Sequence, residues 1–354
     1  MKHINGLYTD AIMLLKQLIA IHSFSGEEDT ACVAIEEFLQ KRKIVTNRFL
    51  NNVWTVNMFF DDTKQTILLN SHLDTVKPNN GYTKDPFQAL ETDGKLFGLG
   101  SNDAGGSLVS LMAAFLFFYE RTDLKYNLLF AASAEEEISG KNGIESLLPK
   151  LGKVDFAIVG EPTQMNVAIA EKGLLVLDCV AHGKSGHAAR GEGENAICIA
   201  MNDVSWFNSF SFPKVSSLLG PVTMNVTMIN AGTQHNVIPG TCSFTVDCRV
   251  NECYSHSEIL DVVKENIASK VTPRSMRLRS GFISPDHTLV SAGIKLGRKY
   301  YGSPTLSDKA LMPFPALKMG PGDSARSHTA DEFIYLDEIR NGIDIYIQLL
   351  NELL

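Results

Sequence analysis

Basic residues never run long in this chain of 354 residues: the longest stretch of Lys or Arg is Lys41-Arg42-Lys43, and the net charge is −8 with a pI near 5.6. An acidic chain without a basic stripe lacks the electrostatic footprint that a phosphate backbone requires, so no nucleic-acid partner is expected. Long apolar runs are missing as well. None reaches the roughly 18 uncharged apolar residues that span a bilayer, and Met1-Lys2-His3-Ile4-Asn5-Gly6 lacks the apolar stretch of a signal peptide. The expectation is a cytoplasmic protein without a membrane partner. Six cysteines (Cys32, Cys179, Cys198, Cys242, Cys248, Cys253) form no C-x-x-C pair, which excludes the usual structural zinc module and, at this length, speaks against a disulfide framework. Cys242 and Cys248 alternate with Phe244 and Val246 at period two and read as the apolar face of one strand. No internal repeat, low-complexity tract or disordered tail is visible. Small molecules are the expected partners.

With 44% hydrophobic and 20% charged residues, the composition is that of a globular protein, and the length favours two domains. The first part alternates helix-like segments (Leu7–Ile21, Asp29–Arg42, Ser107–Glu120) with short apolar runs at Ile67–Asn70, Asn127–Ala132, Phe156–Val159 and, much later, Ala316–Met319. Such runs fit parallel strands buried on both faces by helices. Between about Leu174 and Gly281 the order changes to strand (Leu174–His182), helix (Glu194–Phe207), strand (Val222–Asn230), strand (Thr241–Val250), helix (Ser257–Ser269), strand (Ser275–Ser280). That is the β-α-β-β-α-β order of a ferredoxin-like unit. The expected fold is therefore an α/β catalytic domain with a mostly parallel sheet, residues 1–173 and 282–354, carrying an inserted ferredoxin-like α+β domain, residues 174–281. Helices at about His287–Tyr300 and Asp337–Leu353 return to the first domain.

The chemistry concentrates at the strand ends. His72-Leu73-Asp74 follows the run Thr66–Ser71, the triplet Glu135-Glu136-Glu137 follows Asn127–Ala132, and Glu161 in Gly160-Glu161-Pro162-Thr163 follows Phe156–Val159. Open α/β sheets bind ligands at this edge. Asp103 lies in the glycine-rich Gly100-Ser101-Asn102-Asp103-Ala104-Gly105-Gly106, and His328 in Ser327-His328-Thr329-Ala330-Asp331-Glu332 follows Ala316–Met319 by a loop. Carboxylates mixed with imidazoles and no thiolate suit zinc, cobalt or manganese used for hydrolysis.

Taken together these motifs resemble the metal-dependent amidohydrolases and exopeptidases that include acetylornithine deacetylase, succinyl-diaminopimelate desuccinylase, aminoacylase and the glutamate-releasing carboxypeptidases. The likeness spans essentially the whole chain. It implies a zinc-exopeptidase-like catalytic domain holding two divalent metals, zinc first, with cobalt or manganese as alternatives. In that family's pattern His72 and Glu161 hold one metal, Glu137 and His328 the other, and Asp103 bridges them. Asp74 orients His72, and Glu136 is the general base. The family usually shows Asp-Glu-Glu where this chain has Glu135-Glu136-Glu137, so a shifted register, with Glu135 as base and Glu136 as ligand, stays open. Many members also have Asn where this chain has Asp331. The resemblance further assigns His187, in Gly183-Lys184-Ser185-Gly186-His187, to the oxyanion, often of a neighbouring subunit, which makes the inserted domain a lid and dimerisation module of a homodimer. Arg249 is a candidate grip for a substrate carboxylate and Asn236 a further polar contact.

Singly, each residue has an ordinary explanation: a histidine bonded to a nearby carboxylate, glutamates at a solvated helix start, turn chemistry at Asp103 and Glu161, a loop histidine at 328, a strand arginine at 249, a turn at Asn236. The set at one rim is what favours a metal site. Gly183-Lys184-Ser185-Gly186 lacks full phosphate-loop spacing. His3, His22, His182, His235, His256 and His287 receive no catalytic role. The expected function is hydrolysis of a small N-acyl amino acid, first N-acetylornithine or an N-acylcitrulline in arginine biosynthesis. A succinyl-diaminopimelate desuccinylase or small-peptide exopeptidase is the alternative. Outside enzymes, a metal- or ligand-binding relic or an association scaffold would fit the fold, but neither needs a base such as Glu136 beside intact ligands.

Overall fold

The computed structural model describes residues 2–354; Met1 lies outside the described residues, as do the side chains of Lys2 and His3, and so does the reading of the extreme amino terminus. Two compact units emerge. One comprises the chain up to Ile169 with Phe282–Tyr301 and Ser307–Leu354, and the other Ala170–Gly281 with Gly302–Leu306. The expected division left Gly302–Leu306 with the catalytic part. This segment joins the second unit because a Cβ on Gly302 would stand 2.5 Å from the Leu218 carbonyl, and Lys172 N–H donates to Ser303 O at 3.3 Å.

The first unit is built on a mixed sheet. Asn127–Ser133, Thr66–His72, Phe156–Val159 and Ala316–Lys318 lie side by side and parallel, in that order, and Asn52–Val56 and Asn47–Phe49 extend the first edge antiparallel. Every residue of the four parallel strands is buried, as their unbroken apolar runs require. The helix Gly106–Phe118 is apolar all round because it is enclosed by the sheet strand Thr66–His72 and by the helices Lys2–Ile19 and Leu336–Leu353. Phe115, fully buried there, is a residue whose truncation to Ala should cost about 3–5 kcal/mol. Helix Lys2–Ile19 buries one stripe only, Leu7, Ala11, Leu14, Leu15 and Ile19.

The second unit has the ferredoxin-like order, with a four-stranded antiparallel sheet running Thr223–Ala231, Thr241–Val250, Gly173–His182, Lys270–Pro273. Cys242, Phe244, Val246 and Cys248 all face its core, against Phe207 of the helix Ala196–Ser209 and Ile259 and Val263 of the helix His256–Asn266. The latter starts with a reciprocal cap, Ser255 to the Glu258 amide and Glu258 to the Ser255 amide.

Two elements differ from expectation. The last strand is Lys270–Pro273, paired from Lys270↔Val180 to Pro273↔Leu177, and Ser275–Ser280 carries none. The alternation of Met276 and Leu278 marks one buried anchor, Leu278, whose carbonyl accepts the Leu174 N–H at 2.9 Å. The helix expected to reach Tyr300 ends at Lys295, because Gly297 takes φ +74° and turns the chain into the strand Tyr300–Ser303. Among the described residues no helix is long and apolar enough to cross a membrane.

Candidate metal centre

All five expected ligands belong to the first unit, four of them at or beyond the carboxyl ends of its parallel strands and Asp103 in a turn before a helix. His72 ends its strand, Glu161 comes two residues after Val159, and Glu137 four after Ser133. Asp103 precedes the helix Gly106–Phe118 in a turn that needs glycine at 100: φ there is +73°, and a Cβ would come 2.5 Å from Thr75 Cγ2. His328 itself sits at φ +60°, a left-handed conformation uncommon for a side-chain-bearing residue and concentrated at functional sites.

The side chains converge. Asp103 faces a different histidine with each oxygen: Oδ1 lies 3.3 Å from His72 Nε2, and Oδ2 lies 3.7 Å from His328 Nε2. His328 Nε2 is also 2.9 Å from Glu137 Oε2. Two groups of potential donor atoms lie within 4.8 Å of one another, His72 with Asp103 and Glu137, and His72 with Glu136 and Glu161. On its far side His72 Nδ1 is 3.0 Å from the Asp74 carbonyl, an acceptor only, so Nδ1 carries a proton and Nε2 is the nitrogen that faces the site.

The electrostatics fit a cationic occupant. Burial opposes a charge on His72, yet its hydrogen bonds to Asp103 and Asp74 hold its pKa well above the usual value. Enclosure pushes Glu136 well up, with the Glu161 charge adding to it, and lifts Glu161 to about 8 against the pull of His72. His328 rises to about 9 through its bond to Glu137, and Asp103 is lowered by His72 despite its burial. Several carboxylates are thus crowded into one desolvated place, a cost that divalent cations reverse, and hard oxygens with imidazole nitrogens are donors that zinc, cobalt or manganese accept.

Glu135 is in neither donor group. Its chain turns at φ +55° and its carboxylate accepts Asn142 N–H at 3.0 Å and Asn142 Nδ2 at 2.8 Å. The substrate-side candidates lie in the second unit. His187 pairs with Val237 on a short ribbon that brings Asn236 beside it, Asn236 O accepting the Ala188 N–H at 3.0 Å. His187 Nδ1 accepts the Ala189 N–H at 3.2 Å. Arg249 applies Nε and Nη2 to Asp247, at 2.8 and 3.1 Å.

The family model described as Peptidase family M20/M25/M40 matches residues 68–352, a span that holds every one of these residues. The chain belongs to that family. It is thus an enzyme of the metallo-amidohydrolase and peptidase class that its motifs resemble. Among relatives of this M20 chain, an acetylornithine deacetylase of Proteus mirabilis is 30% identical over 80% of this chain and 78% of its own length. A succinyl-diaminopimelate desuccinylase of Rickettsia bellii is 24% identical over 96% of each. The fold is shared with an aminopeptidase PepT of Bacillus cereus (TM-score 0.79, 18% identity, 98% of both chains). It is shared too with the Bacillus subtilis YXEP protein, described as a dinuclear metal binding peptidase from the M20 family (TM-score 0.72, 16% identity, 98% of both).

The structure also draws in residues that pattern reading passed over. Glu332 accepts three backbone amides of the Asp103 loop, and Glu28, fully buried, accepts the Glu135 N–H at 3.2 Å. Asp308 and Lys318, both buried, act on Glu161 in opposite directions. Glu332 lies inside the His328 motif, whereas Glu28 and Lys318 stand in no motif that marks a site.

Proposed function

We propose that this chain hydrolyses the amide of a small N-acyl amino acid, releasing a carboxylate and a free amine, with N-acetylornithine or an N-acylcitrulline as the first substrates to try. The observation that carries this reading is the convergence of His72, Asp103, Glu137, Glu161 and His328, with Glu136 beside them. His72 and Glu161 would hold one metal, Glu137 and His328 a second, and Asp103 both. Bound divalent metals would supply Lewis-acid polarisation of the amide carbonyl and a water acidified towards neutrality.

Glu136 is assigned as general base, since Glu137 is engaged with His328 and Glu135 is turned to Asn142. Its carboxylate takes a proton from the attacking water and passes it to the leaving nitrogen as the C–N bond breaks, so the amine departs neutral. A carboxyl as enclosed as that of Glu136 holds a proton readily enough to return it. His187 is assigned to the oxyanion. With Nδ1 accepting from Ala189, its remaining N–H is on Nε2, the donor such a role requires. Arg249 and Asn236 are kept as substrate contacts, Arg249 with a partial claim, because Asp247 already occupies its fork. A homodimer formed through the second unit belongs to the same reading, supported by Met228 and Ile229, 63% and 56% exposed on an edge strand. A cytoplasmic setting is retained with it.

Desuccinylation of N-succinyl-diaminopimelate is the second reading, favoured by a desuccinylase relative that aligns over 96% of this chain. Side-by-side turnover of N-acetylornithine, N-acetylcitrulline, N-succinyl-diaminopimelate and a dipeptide panel tests the choice. Dominant kcat/KM on an acetylated substrate supports the first reading, on the succinylated one the second, and on dipeptides neither.

A further inference from the structure

Glu332 is buried, yet nothing in its pattern marks it as a ligand, and it stands four residues beyond His328. Its Oε1 accepts the N–H groups of Asn102 at 2.8 Å and Asp103 at 2.9 Å, and its Oε2 accepts the Gly100 N–H at 3.1 Å. One carboxylate thereby fixes the turn that presents Asp103. On the opposite side, Asp74, two residues after His72, accepts the N–H groups of Glu136 at 3.1 Å and Glu137 at 3.2 Å. Side-chain approaches between His72 and Asp103 and between His328 and Glu137 complete a circuit. Each link of that circuit joins two different loops.

We infer that Glu332 is a positioning residue for the metal centre, tying the segment that carries His328 to the turn that carries Asp103, so that both are set at one spacing before a metal arrives. Asp331 offers a contrast on the same segment. Its carboxylate takes the Thr83 and Lys84 amides, each at 2.9 Å, and so fastens a loop that carries none of the five ligands. The inference rests on the two-metal reading above. It adds that an acceptor on either side of Glu332 is required, because a carboxylate has lone pairs on both oxygens and an amide presents donors on one of its two arms. Glu332→Gln therefore leaves at least one N–H of the Asp103 turn facing another N–H, whichever way the amide is turned. Glu332→Asp keeps both acceptors on a shorter stem.

The test is zinc binding by the full chain, measured in competition with a chromophoric chelator for wild type, Glu332→Gln, Glu332→Asp and Asp331→Asn, with the thermal midpoint of each metal-free protein beside it. The expected result is two zinc equivalents for wild type, with affinity for at least one of them weakened about 10–100-fold in Glu332→Gln. Glu332→Asp should lose less and Asp331→Asn nothing. If Glu332→Gln does not fold, the Glu332→Asp affinities decide in its place. Wild-type affinity for both zinc ions in the folded Glu332 variants would overturn the inference and leave the two-metal reading standing. No zinc uptake by wild type would overturn both.

Discussion

Asp74 Oδ1 accepts the backbone N–H of Glu136 at 3.1 Å, so the residue that lies behind His72 also holds the segment bearing the proposed base. Its other oxygen takes the Glu137 N–H and the Ser25 hydroxyl, leaving Asp74 fully enclosed. Asp74→Asn should therefore act on ligand and base together: one acceptor becomes a donor directed at an amide or at Ser25. The expected outcome is a fall of about 10–100-fold in both zinc affinity and kcat/KM. A change in activity with unaltered zinc affinity would separate the two roles.

Glu136→Gln should leave about two metals per chain and lower turnover by at least about 100-fold, the least that loss of a general base removes. Glu137→Gln should instead release metal. Elemental analysis of the two variants, paired with kcat, distinguishes this register from the shifted one, in which Glu136→Gln loses a metal and Glu135→Gln loses turnover.

His187→Ala should reduce kcat by about 10²–10³ with little change in KM, because an oxyanion donor is engaged mainly in the transition state. Steady-state kinetics on the preferred substrate reads the split. Unchanged kcat would remove His187 from the site.

Much of this centre is written in the order of the chain. Apolar runs such as Thr66–Ser71 and Phe156–Val159 announce buried parallel strands, and residues just beyond the carboxyl ends of such strands stand at the ligand-binding edge. His72, Glu161 and the triplet Glu135–Glu137 as a whole, though not which of its three members faces a metal, could therefore be assigned to that edge by position. Glu332 and Glu28 could not. Both act by accepting N–H groups from segments far away in sequence, and a backbone amide leaves no trace in residue identity. The Arg249 pairing was readable in principle, since Asp247 two positions earlier projects from the same face of the strand. The displacement of the last strand of the second unit from Ser275–Ser280 to Lys270–Pro273 has another cause. Apolar alternation reports burial of Leu278, whereas the ladder is fixed by its partner, where Arg274 grips Asp178 at 2.8 Å.

His256 supplies a pH dependence away from the metal site. It is 4% exposed at the start of the helix His256–Asn266, and burial lowers its pKa below the ordinary 6.5. A histidine held neutral in the fold binds its proton more readily when unfolded, so its stabilising contribution is full above about pH 6.5. That contribution is lost as the pH falls through the lower folded value. Urea midpoints of the metal-free protein should decline over this range, and His256→Gln should flatten the decline. An identical slope in both proteins would assign it to other groups.

The most direct test of the two-metal amidohydrolase is metal content of the purified protein combined with amine release from N-acetylornithine, before chelation, after it, and after zinc or cobalt is restored. The expected result is about two metals per chain and a release that vanishes with chelation and returns with metal. A protein that holds no metal, takes none up, and shows amine release indifferent to chelation would contradict it.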